Sequence, residues 1–150
     1  MRIDSSKFYV RNAVQDVKIK MACEGLEWES AEDDITEVAG LIVRASPKII
    51  FSFGSFSYEF CRRALSLSPK RKYGEWGAIR LGKNFVDGIN AFDVNKTNLL
   101  PLLHRSISGG RFLESHRDFC NDISANYFEF TSKRVSDVLL KYRRSLDIWI

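Results

Sequence analysis

Lys48-Ile49-Ile50-Phe51-Ser52-Phe53-Gly54-Ser55 decides the fold of this chain. Pro47 stops the helix before it, and the nearly unbroken apolar run has the composition of a central strand buried on both faces of a parallel sheet. Gly54-Ser55 breaks the run. Beyond it, Phe56, Phe60 and Ala64 fall on one stripe of a helix expected to reach about Leu67, with Ser55 as its cap. Strand, glycine turn and helix make the first half of a βαβ unit, and such a turn presents backbone amides to an anion.

The second strand is expected where Leu99-Leu100-Pro101-Leu102-Leu103 runs into His104-Arg105-Ser106-Ile107-Ser108-Gly109-Gly110-Arg111-Phe112. The apolar part is short enough for a strand, and the polar part after it has the composition of a ligand-facing loop. In open α/β sheets, function gathers at the carboxyl ends of strands, so this loop is the first candidate site. Two readings of His104 stand side by side. It faces a ligand, or it satisfies a nearby backbone group while Gly109 and Gly110 turn the chain.

Outward from these strands the pattern is helical on both sides. Ser30 reads as an N-cap, followed by Glu32, Asp33 and Asp34 in a first turn and by Ile35, Val38, Ala39 and Ile42 at helical spacing, so a helix is expected to end near Ala45. The acidic cluster fits a helix start through the dipole without any acid-base chemistry. Arg111 to Asn126 has a broken helical look, with Phe112, His116 and Phe119 near one face. Thr131 is expected to cap a last helix whose stripe is Val135, Val138, Leu139 and Tyr142.

The remaining segments read as extended or irregular. Phe8-Tyr9-Val10 is expected to be a strand with Asn12 at its end, and Gln15 to Gly25 alternates Val17, Ile19 and Met21 with lysines. Ser68 to Asn98 is rich in turns, and Ala78 to Leu81 is expected to pair with Asn84 to Val86 as a hairpin across Gly82-Lys83. Lys70, Arg71 and Lys72 beside Tyr73 and Trp76 suit either a nucleic-acid surface or a solvated loop with two anchored rings.

Composition sets the outer limits. With 150 residues, 45% hydrophobic and 28% charged, the chain is expected to form one soluble domain over 1-150, and no repeat or linker divides it. The net charge of +4 favours an anionic partner without identifying one. Cys23, Cys61 and Cys120 are odd in number and lack metal spacing, so free thiols, no metal site and no cofactor are expected. No signal peptide or membrane-length run is present in these residues, and a cytoplasmic protein is expected.

Three stretches together resemble the uracil-DNA glycosylase superfamily: Phe8-Tyr9-Val10-Arg11-Asn12-Ala13-Val14, Pro47 through Ser57, and Leu102-Leu103-His104-Arg105-Ser106. They are similar to that family's asparagine-ended strand, its proline-led strand with glycine and helix, and its His-Pro-Ser motif, in the same order across most of the chain. The resemblance implies a three-layer α/β/α sandwich with a short, mainly parallel sheet. It implies that Asn12 reads the edge of an extruded base, with Gly54 and Ser55 beside the substrate, and that His104 stabilises charge developing on the base. Arg105, Ser106, Ser108, Gly109, Gly110 and Arg111 would then meet DNA.

Two departures from the family bear on activity. Only Met1 to Lys7 precede Phe8 here, so the water-positioning motif has no counterpart, and Arg105 replaces the motif proline. The expectation is therefore a catalytically weak or inactive relative that binds DNA or a nucleobase, since hydrolysis without a positioned water loses most of its rate. The alternative is a protein-interaction module, or half of a homo-oligomer, in which an unpaired strand is the association surface. A nucleotide-binding enzyme using the Gly54 turn is a third reading, supported by that turn alone.

Overall fold

The computed structural model describes residues 8–24, 28–104 and 111–146. Its centre is a parallel pair of strands, β1 (Ile49–Phe53) and β2 (Asn98–Leu102), joined in register from Ile49 opposite Asn98 to Phe53 opposite Leu102. The chain is thus of the α/β class. Helix α3 (Gly54–Ala64) follows β1 directly, and α4 (Ala78–Asn90) completes the crossover before β2. Helix α1 (Val17–Ala22) and α2 (Glu32–Ala45) precede the sheet, while α5 (Arg111–Cys120) and α6 (Tyr127–Lys141) follow it.

Two apolar clusters hold these elements. The larger gathers Tyr58, Trp76, Leu81, Phe85, Leu100, Leu103, Phe119 and Tyr127, so α3, α4, α5 and α6 all meet the β2 side of the sheet. The smaller joins Phe56 and Phe60 of α3 to Cys23, Trp28 and Ala31, with Ile35 and Val38 of α2 packed against them. The stripe expected on α3 is therefore real: Phe56, Phe60 and Ala64 are all buried. Phe56 stacks on Trp28 with centroids 5.2 Å apart, which fixes the segment before α2 onto α3.

Several local expectations are corrected. Residues 78–86 form a helix, because Leu81, Phe85 and Ile89 recur at four-residue intervals and bury one face. Gly82 is a point of close approach rather than a hairpin turn: a Cβ there would sit 1.8 Å from the Phe119 carbonyl oxygen. Phe8, Tyr9 and Val10 are exposed and irregular, with no strand partner among the described residues. Val17–Ala22 is a short helix capped by Asp16, whose carboxylate accepts the Lys18 amide, so the lysine alternation does not mark a strand.

Caps also differ from the sequence reading. Helix α2 begins at Glu32 after a single 3-10 turn over Glu29–Ala31, and no side chain caps it, Ser30 included. Helix α3 ends at Ala64, short of Leu67. Helix α6 starts five residues earlier than expected, with Asn126 accepting the amides of Phe128 and Glu129. Thr131 lies inside that helix, its hydroxyl donating to the Tyr127 carbonyl. Strand β1 is not buried on both faces: Ser52 is buried, but Phe51 is 37% and Phe53 52% exposed.

Candidate functional site

The parallel pairing brings two of the expected site positions together. β1 delivers Gly54 and β2 delivers His104 to the same carboxyl end of the sheet. Gly54 has φ +85, a conformation costly for any residue with a Cβ, and a Cβ placed there would lie 3.0 Å from the His104 Cβ. The glycine is therefore required twice, by its backbone and by its neighbour. His104 itself is exposed.

Ser55 follows within α3, and its hydroxyl donates to the carbonyl of Trp76 instead of capping the helix. This bond ties the start of α3 to the loop that enters α4. Asn12 stands on exposed, irregular chain rather than at a strand end. Its neighbour Arg11 is held by Asp34 and Glu37 of α2, at 3.6 and 3.1 Å, and also donates to the Asn12 carbonyl. The N-terminal segment is thus anchored to α2 through Arg11. Arg105, Ser106, Ser108, Gly109 and Gly110 lie outside the described residues, and Arg111 opens α5.

The backbone leading into His104 is fixed from outside the sheet. The amide of Leu103 donates to the hydroxyl of Tyr127 at 2.9 Å, a buried bond between the end of β2 and the first residue of α6. Tyr127 stacks on His116 of α5 at 4.6 Å and meets Phe119 edge-on at 5.1 Å. Burial, the largest influence, raises the Tyr127 phenol above its usual pKa, so it is neutral at pH 7. Burial likewise lowers the pKa of the His116 imidazole. No pattern of spacing reveals a hydrogen bond between residues 24 apart.

The basic loop reads differently once its rings are placed. Trp76 is only 3% exposed and donates its indole N–H to Glu59 at 2.8 Å, while Tyr73 packs edge-on against Trp28 and Phe56. The two rings are anchors and do not offer stacking platforms. Glu59 is fully buried and also accepts from the Arg63 guanidinium and the Arg71 amide, both at 3.0 Å. Arg62 lies 4.9 Å over the Trp76 ring and donates to the Pro69 carbonyl. One signal was visible in Tyr58-Glu59-Phe60-Cys61-Arg62-Arg63: a carboxylate beside a buried stripe, with arginines three and four residues on.

Other chemistry is restricted by burial. Cys61 is pushed up to about 12, and burial also raises Cys23 and Cys120, so all three thiols are protonated near neutral pH. They are free, as expected from their number. No group of His, Cys, Asp and Glu among the described residues is arranged to hold a metal ion. A cavity of about 270 Å³ lies at the opposite end of β2, bordered by Tyr58, Leu65, Gly88, Thr97 and Asn98. Asn98 has its side-chain donors engaged there, because its nitrogen donates to backbone carbonyls while its oxygen accepts the Asp93 amide.

No protein-family model, curated protein or solved structure matches the chain. No helix among the described residues is long and apolar enough to cross a membrane.

Proposed function

We propose that this chain is a nucleobase- or nucleic-acid-binding domain with a uracil-DNA glycosylase-like α/β/α fold, and that its glycosidic turnover is weak or absent. One observation carries the reading: a parallel βα-β arrangement sets Gly54, at positive φ, directly against His104 at the shared carboxyl end of the strands. That end is where open α/β sheets bind ligands. The imidazole would act as a preorganised dipole or charge beside a base oxygen, and not as a nucleophile. By the resemblance, Ser106 would meet phosphate, and Gly109 and Gly110 would belong to the stretch that meets the minor groove. Arg105 stands where the resembled histidine motif has proline, and that departure goes with the expectation of weak turnover.

The deciding experiment titrates uracil-containing and uracil-free oligonucleotides, single- and double-stranded, at several salt concentrations, with a glycosylase assay alongside. Binding is expected to weaken as salt rises, with a slope set by the phosphates contacted. His104→Ala is expected to erase the preference for uracil. A flat salt response would sink the DNA reading, and turnover abolished by His104→Ala would show an active glycosylase instead.

A second reading is favoured by Phe51 and Phe53, exposed on β1, which among the described residues pairs with β2 alone. Apolar rings on a strand with a single partner are an association surface, which fits a module that pairs with another protein or with its own copy.

A further inference from the structure

We infer that Tyr127 is a positioning residue for His104, an inference that rests on the proposed role of His104 at the strand ends. Strand β2 ends at Leu102, so the Leu103 amide has left the ladder and needs an acceptor of its own. The Tyr127 hydroxyl supplies it at 2.9 Å in a buried setting. This is the last fixed point before His104, and it sets the direction in which the chain leaves the sheet. The acceptor is rigid because its ring is held on both sides. His116 stacks on it with planes 22° apart, and Phe119 meets it edge-on.

On the other side of His104, contact with Gly54 leaves little room, since a Cβ at Gly54 would come within 3.0 Å of the His104 Cβ. The imidazole is thus placed between a glycine that admits it and a phenol that aims its backbone. Removing the phenol oxygen while keeping the ring should leave the cluster packed but free the Leu103 amide. The His104 ring would then sample orientations that the present geometry forbids.

The test compares Tyr127→Phe with Phe85→Leu, which loosens the same cluster through Phe119 and Phe130 but leaves the hydroxyl and the rings packed on Tyr127 in place. The imidazole resonances of His104 and the exchange rate of the Leu103 amide are measured by NMR, with unfolding curves for each variant. Binding of a uracil-containing single strand is measured alongside. Tyr127→Phe is expected to remain folded, to shift the His104 resonances and to speed Leu103 exchange. It should also weaken oligonucleotide binding, by at most about tenfold, the limit reached if the whole contribution of one hydrogen bond goes into aiming His104. Phe85→Leu is expected to lower stability while leaving the His104 resonances in place. Unchanged His104 resonances in Tyr127→Phe, or equal shifts in both variants, would overturn the inference. Failure of the parent protein to bind the oligonucleotide would overturn the nucleobase reading alone, because the His104 resonances judge Tyr127 without a ligand.

Discussion

Glu59 is a charged side chain with no exposed surface, and its place in the fold depends on having every oxygen engaged. Trp76, Arg63 and the Arg71 backbone all donate to it. Removing one member of a buried charged network leaves the others uncompensated, which costs about 3–5 kcal/mol. Glu59→Gln is therefore expected to lower the urea midpoint severely and to raise Trp76 exposure, seen as a red shift of its fluorescence. Ser52 presents the opposite case, since its buried hydroxyl has no hydrogen-bond partner among the described residues. Ser52→Ala is expected to stabilise the fold or leave it unchanged, by about 1 kcal/mol at most, because it removes a desolvated polar group. A clear loss of stability in denaturant titration would show that the hydroxyl has a partner after all.

Helix packing carries the next level of constraint. α4 and α5 approach so closely that Gly82 leaves no room for a Cβ beside the Phe119 carbonyl. Gly82→Ala must separate the two helices and is expected to cost about 3 kcal/mol, the upper part of the range for overpacking. The same change at Gly74, whose Cβ direction is open, is expected to cost far less, and thermal unfolding of the two variants makes the comparison. The α5–α6 contact carries a pH dependence through His116. Burial lowers its folded pKa below the ordinary imidazole value of about 6.5, so the unfolded chain takes up the proton first as pH falls. Stability is therefore fully present above about pH 6.5, declines as pH drops through that value, and levels off once pH lies below the lowered folded value. His116→Gln is expected to flatten the stability profile between about pH 7 and 5.

At the scale of the whole molecule, the two apolar clusters lie on different sides of α3, which makes that helix the common wall of the fold. Its outer face receives Trp28 and the segment around α2, and its inner face receives Trp76 and α4. The surface that the described fold leaves uncovered is equally definite, with Phe51 and Phe53 exposed on β1. If these rings associate, light scattering of the parent protein will show a mass that rises with concentration, and Phe51→Ser with Phe53→Thr will return it to a monomer. A parent protein that stays monomeric throughout would remove the association reading. The net charge of +4 acts at this scale too, steering anions toward the molecule at low salt without selecting among them.

The sequence by itself determined the βαβ core. An apolar run after Pro47, a glycine break, a helical stripe at Phe56, Phe60 and Ala64, and a second apolar run ending at His104 are all local patterns, and local patterns are legible because period and punctuation are written in consecutive residues. The same logic misled at Gly82-Lys83, where a glycine needed for helix contact looked like a turn. It also misled at Phe8-Tyr9-Val10, where strand-forming residues have no strand beside them among the described residues. Only the tertiary structure decided that Gly54 touches His104, that Trp76 is an anchor for Glu59, and that Tyr127 holds the backbone ahead of His104. Those relations join residues 17 to 50 positions apart. Their physical basis is burial and direction, which exist only once helices and strands are packed against one another.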